Sequence, residues 1–271
     1  MMKRPQRRIA SIVFFNYGDS KFITLFQEMT HLKLAMQEYD FKVLLKDDSR
    51  IDLVEGDETI ANIKEAPTRD NLHRYLNQLS NDGYIIDLWI FAHGNQSGFG
   101  ASNCNNWDEC WISEDDIRNF APNGKTLSIR LVYQINCYGS YLNNAWRAIG
   151  ADTAIGARYV NFYPTQFDSF ARNWNRGKTV SYSLDKANSV HTRTLVQGYI
   201  LVDSVASRGQ WGGCDRGKTV LSRSECARRY FEWAWFVDDS NEWQNNLSGK
   251  KNMNYSSIKI VSGNQNLTIG Q

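Results

Sequence analysis

Apolar positions along the first two thirds of the chain switch between two spacings, and the switching predicts strands and helices in turn. Ile9 to Phe15 is a short apolar run rich in β-branched and aromatic residues, the pattern of a buried strand. From a start near Ser20, Phe22, Leu25, Phe26, Met29, Leu32 and Met36 recur at helical spacing. Phe41 to Leu45 reads as a second strand, stopped at Lys46-Asp47-Asp48. Thr68 is placed to cap a helix with Leu72, Tyr75, Leu76 and Leu79 on one face, ending near Asn81-Asp82-Gly83.

Two further apolar runs end in unusual residues. Tyr84 to Ala92 leads into His93-Gly94, and Ser128 to Asn136 leads into Cys137-Tyr138-Gly139-Ser140. Residues 95–113, rich in Asn and carrying two Cys, predict a loop or small hairpin after the histidine. Glu114 to Phe120 is a short helix closed by Pro122-Asn123-Gly124, and Leu142 to Ile149 is a helix ending at Gly150. Asp152 to Val160 is a fifth strand, and Phe167, Phe170, Ala171 and Trp174 mark an amphipathic helix ending at Gly177. Val180 to Leu201 predicts a long helix with Val180, Leu184, Ala187, Val190 and Leu195 inward. Residues 203–228 read as a polar excursion; Tyr230 to Val237 and Ser256 to Val261 read as a closing strand pair, or as a helix followed by a strand.

Repeated strand–helix–strand units predict an α/β fold, a three-layer α/β/α sandwich with a mostly parallel central sheet covered on both faces. No internal repeat or low-complexity linker divides the chain. The expectation is a single domain over 1–271, with a core at about 8–200 and a C-terminal extension at 201–271 that completes or decorates it.

Composition narrows the function classes. A chain of 271 residues with 42% hydrophobic and 22% charged residues has the make-up of a soluble globular protein. The net charge of +2, with both signs interspersed, gives no electrostatic footprint for nucleic acid. The apolar run after the basic Lys3 to Arg8 segment is too short and too interrupted for a signal peptide. No stretch approaches the roughly 18 apolar residues of a membrane span. Nine Trp fit a large core as well as a binding groove. Cys104 and Cys110 lie six apart, and Cys214 and Cys226 twelve apart, leaving Cys137 over. Two disulfides and a free thiol would need an oxidising compartment. With no leader recognised, the expectation is reduced thiols in a cytoplasmic protein.

The candidate chemistry rests on His93 and Cys137. If their strands are parallel neighbours, imidazole and thiol meet at the carboxyl edge of the sheet, where open α/β folds place ligands. A thiol becomes a strong nucleophile as thiolate, and an imidazole can take its proton or protonate a leaving amine. Gly94 lets a substrate carbonyl approach, and its N–H together with that of Cys137 can form an oxyanion hole.

An apolar strand ending in His-Gly, followed 137 − 93 = 44 residues later by one ending in Cys, resembles the caspase-like cysteine peptidases. Gly150-Ala-Asp-Thr-Ala-Ile-Gly-Ala-Arg-Tyr and the following aromatic helix are similar to the segments after the nucleophile in that group. The resemblance implies a caspase-hemoglobinase-like fold over about residues 8–200, a protein or peptide substrate, and no required cofactor. It implies Cys137 as nucleophile and His93 as general acid/base in a dyad, with the Gly94 and Cys137 amides on the oxyanion. Ile135 stands where caspases carry the Gln that reads a P1 aspartate, so specificity does not transfer. In that group the loop after the first strand lines the S1 pocket; here it carries Asp19, which would favour a basic P1 side chain. Arg158, near the end of strand five, would favour an acidic one. The pairs Asp47-Asp48 and Asp115-Asp116 suggest Ca²⁺ as in some relatives, but acidic pairs also make turns and helix caps, and no metal ligands are assigned.

Two alternatives stand beside this reading. In an α/β-hydrolase, Cys137 would be the nucleophile on an elbow, with Asp168 and His191 completing a triad in the required chain order. The elbow's leading Gly is here Ile135. The third possibility is a catalytically silent caspase-like module that binds a partner.

Overall fold

The computed structural model describes residues 8–16, 25–46, 61–102, 110–158, 161, 165–189 and 259–271. In chain order these form β1 (Ile9–Asn16), α1 (Leu25–Met36), β2 (Phe41–Lys46), β3 (Ile63–Glu65), α2 (Arg69–Asn81) and β4 (Ile85–Ala92). Then come β5 (Gly94–Asn95), β6 (Gly98–Gly100), β7 (Trp111–Ser113), α3 (Glu114–Asn119), β8 (Ile129–Gln134) and α4 (Asn143–Ala148). The described chain continues with β9 (Thr153–Ala157), α5 (Thr165–Asn175), α6 (described over 180–189) and β10 (Lys259–Gly263).

Seven strands make one sheet in the order β10-β9-β8-β4-β1-β2-β3, parallel except for the antiparallel edge strand β10. The period-two alternation divides each strand between two cores. From β1, Ala10, Ile12 and Phe14 pack with α2, α3 and α4, while Val13 and Phe15 pack with α1, α5 and α6. Helices therefore cover both faces, and β4 and β8 are buried along nearly their whole length and mostly apolar, Asp87, Arg130 and Gln134 excepted.

Local sequence sets the helix ends. Thr68 Oγ1 accepts from the Asn71 amide at 3.1 Å, as the capping reading requires, and Gly83 leaves α2 with φ +78°. Ser113 and Asp116 form a reciprocal capping box on α3. Val180, Leu184 and Ala187 are inward in α6, as predicted; the remainder of the predicted 180–201 helix and the polar 203–228 stretch lie outside the described residues. So does Tyr230 to Val237. The short edge strand β3 is an addition to the predicted elements; three residues carry too little pattern to announce a strand.

One buried ion pair crosses the centre of the sheet. Arg130 on β8 donates to both carboxylate oxygens of Asp87 on β4, at 2.9 and 2.8 Å. Tyr39 Oη and Trp174 Nε1 also donate to Asp87 Oδ2, at 2.6 and 3.0 Å. Arg130 further donates to the carbonyl of Ile269, tying the C-terminal segment to the sheet. The carboxylate thus has four donors, which is what makes a buried charge tolerable.

Candidate active site

β4 and β8 are parallel neighbours with Ile90 opposite Gln134, and the Ile135 amide donates to the Ile90 carbonyl at 2.8 Å. His93 and Cys137 each lie three residues beyond that pair, past the carboxyl edge of the sheet, and Gly94 packs against Asn136 and the Cys137 carbonyl. β4 also pairs with β1, where the strand order reverses direction. His93 therefore stands at the topological switch point.

The glycine after the histidine is demanded by space. A Cβ at Gly94 would lie 2.8 Å from the Cys137 carbonyl oxygen and 2.8 Å from Asn136 Cβ. The His93 carbonyl accepts from the Gly100 amide at 2.9 Å, which makes Gly94–Phe99 a non-hydrogen-bonded pair of the β5–β6 ladder. No described peptide is cis, so the Gly94 N–H points away from β6.

The turn after Cys137 is held from three directions. Tyr138 has φ +56°, the one described non-glycine residue with positive φ, which turns the chain sharply out of the strand. Gln134 Nε2 donates to the Gly139 carbonyl at 3.0 Å and to Asn143 Oδ1 at 2.9 Å, while Trp146 Nε1 donates to Gln134 Oε1 at 3.2 Å. Gly156 on β9 lets this turn sit against the sheet, since a Cβ there would be 2.2 Å from the Gly139 carbonyl carbon.

Cys137 is a free, half-buried thiol. The Asn161 amide donates to its Sγ at 3.3 Å, and Sγ lies 3.7 Å from the Asn161 carbonyl as donor. Burial raises the thiol pKa; the Asn161 amide and the charge of Lys259 act in the opposite direction. Lys259, the first residue of β10, is 3% exposed, and its Nζ donates to the Gln134 carbonyl at 2.9 Å. Burial depresses its amine from 10.5 to about 7, with Cys137 pulling the other way. His93 is exposed to solvent.

The other candidates are dispersed. Arg158 follows β9 on the same sheet edge and is exposed. Asp19 lies outside the described residues, as do His191, Asp47 and Asp48. Asp168, proposed as a triad acid, instead pairs with His31 at 3.2 Å between α5 and α1. Asp116 is committed to the α3 capping box and to Arg69. Among the described residues no group of three or more His, Cys, Asp or Glu is arranged to hold a metal. No described helix is long and apolar enough to cross a membrane.

One cysteine expectation is corrected. Cys110 is disulfide-bonded, not reduced. Its partner lies outside the described residues, since Cys137 is free. Spacing alone leaves that bond open.

The sequence pattern assigns no role to Gln134, Asn161 or Lys259. Gln134 and Asn136 do carry a signal, being polar residues near the end of an otherwise apolar strand. Asn161 and Lys259 have none, because only the fold brings them to Cys137.

No protein-family model matches the chain, and no curated protein matches it.

Proposed function

We propose that the chain is a cysteine endopeptidase of the caspase-like kind, with a caspase-hemoglobinase-like arrangement of its α/β layers. The carrying observation is that the adjacent parallel strands β4 and β8 lead into His93-Gly94 and Cys137 at one sheet edge, with Gly94 packed against Asn136 and the Cys137 carbonyl. Cys137 gives its thiol proton to His93 as Sγ attacks the scissile carbonyl carbon, and the carbonyl oxygen becomes an oxyanion held by the Gly94 and Cys137 amides. His93 gives a proton to the departing amide nitrogen, leaving a thioester on Cys137. Water then attacks the thioester, His93 takes a proton from it, and the acid leaves with the thiol restored. This cycle uses no metal or cofactor. The exposure of His93 suits a group that must exchange protons with substrate and water.

Burial favours the protonated thiol in the resting protein, so thiolate forms during turnover and is not stored beforehand. The positively charged Arg158 on the same edge favours an acidic P1 side chain.

The test is a fluorogenic peptide panel varied at P1, including Asp, Arg and Lys, with and without Ca²⁺. Cleavage should fall at least about a hundredfold in both Cys137→Ala and His93→Ala. A covalent peptide electrophile should label Cys137 by mass spectrometry. Labelling at another cysteine, or cleavage that survives Cys137→Ala, overturns the assignment.

A further inference from the structure

Asn136 is fully buried at the rim of the candidate site, and the dyad cycle gives it no part. The β4–β8 ladder runs up to the bond from the Ile135 amide to the Ile90 carbonyl. The two amides that face the oxyanion in that cycle, those of Gly94 and Cys137, lie beyond this bond. There the two chain segments meet through the Asn136 side chain. A Cβ at Gly94 would lie 2.8 Å from Asn136 Cβ and 2.9 Å from its Nδ2, so the Gly94 backbone rests directly on this side chain. On the other side, a Cβ at Gly139 would lie 3.3 Å from both Nδ2 and Oδ1. Asn136 is thus wedged between the residue after the histidine and the turn after the thiol.

Its polar atoms hold the same turn. Nδ2 donates to the Cys137 carbonyl at 3.3 Å, and the Asn136 carbonyl accepts from the Gly139 amide at 3.3 Å. The carbonyl that Nδ2 holds is the one Gly94 packs against, since a Cβ at Gly94 would lie 2.8 Å from its oxygen. Side chain and backbone of one residue therefore fix the chain on both sides of the thiol, just before Tyr138 takes its φ of +56°. Oδ1 has no hydrogen-bond donor among the described residues. A buried amide with an unmet acceptor costs stability, and an apolar residue at this position would avoid that cost. Such departures gather at functional sites, where the geometry they enforce has a use.

We propose that Asn136 is the positioning residue of the oxyanion hole. Its side chain sets the spacing of the Gly94 and Cys137 backbones, and so whether both amides reach one oxygen at about 3 Å. The proposal rests on reading Cys137 as the nucleophile and adds no bond-making step to that cycle. Asn136 acts through the two backbones it separates and not on the substrate.

The test compares the full chain with Asn136→Ala, which removes both wedge and donor. Three quantities separate positioning from general damage. The first is kcat and KM on the fluorogenic peptide cleaved best. The second is the rate at which iodoacetamide alkylates Cys137. The third is the affinity of peptide aldehydes with Asp, Arg or Lys at P1, read as protection of Cys137 from that alkylation. An aldehyde adds to the thiol and places its oxygen in the hole, whereas alkylation displaces iodide and forms no oxyanion. The variant should lose at least about tenfold in kcat and in aldehyde affinity, with KM held within about threefold. Its alkylation should stay within about twofold of the unsubstituted chain, because no oxyanion donor is used. Unchanged kcat and aldehyde affinity overturn the proposal, and so does an equal fall in all three, which a displaced thiol would give. Asn136→Ser keeps a small polar group at the buried position and is read in the same way if the alanine protein does not fold. A full chain that cleaves no peptide and binds no aldehyde defeats the peptidase reading and this proposal together. Dyad-dependent cleavage that is indifferent to Asn136 defeats this one alone.

Discussion

Burying the Lys259 amine should leave a signature in stability against pH that no surface lysine would produce. A fall in its pKa from 10.5 to about 7 corresponds to about 5 kcal/mol, at about 1.4 kcal/mol per pH unit. The direction follows from proton counting. Between about 7 and 10.5 the unfolded chain holds a proton that the folded chain has released, so stability rises with pH across that window. Above it the amine is neutral in both states, and the burial penalty is absent. Below it both states are protonated, and the full penalty is present.

Lys259→Met removes this dependence. Cys137 would blur the comparison, because a thiol raised by burial makes stability fall as pH passes the ordinary thiol range. Both proteins are therefore compared in a Cys137→Ala background. Removing the thiol takes away a group that raises the amine's pKa, which preserves the sign. Urea unfolding at pH 6, 7, 8, 9 and 10 gives the difference in unfolding free energy. At pH 6 the methionine protein should be more stable by several kcal/mol. By pH 10 most of the penalty is gone, and the two proteins should agree to within about 1 kcal/mol, the net value of the bond from Nζ to the Gln134 carbonyl. A difference constant from pH 6 to 10 would refute the buried placement of the amine.

Other substitutions probe the site and the core separately. Gly94→Ala drives a Cβ to 2.8 Å from the Cys137 carbonyl oxygen and should lower kcat/KM by about 10²-fold or more, as loss of an oxyanion donor does. Gly83→Ala has φ +78° and nothing within 4 Å of the new Cβ; it should lower stability by about 1 kcal/mol and leave kcat/KM unchanged, which separates backbone strain from site damage. Gly156→Ala should push the Gly139 turn off β9, lowering cleavage more than tenfold with about 1–3 kcal/mol lost in urea unfolding; unchanged kinetics would show that the turn does not set the thiol's position. Asp87→Asn leaves Arg130 buried without its counter-charge and should cost about 3–5 kcal/mol, read by thermal unfolding at a site remote from Cys137.

The unequal legibility of sheet and site has a physical cause. The parallel sheet announces itself because strands covered on both faces are mostly apolar, as the runs Ile85–Ala92 and Ile129–Gln134 are. Their polar ends are legible for the same reason: a His-Gly or Asn-Cys that terminates such a run marks the edge where backbone leaves the ladder. What the sequence hides is every contact made across chain distance by a residue with no local abnormality. Asp87 looks like an error in an apolar strand until Arg130, forty-three positions on, supplies its two donors. Lys259 looks like any surface lysine beside a closing strand; it is the antiparallel pairing of β10 with β9 that turns it inward toward β8. Burial raises the thiol's pKa, and residues 161 and 259, which oppose that rise, are 24 and 122 positions from it. A short motif can name a candidate thiol, but the groups packed around it are selected by topology.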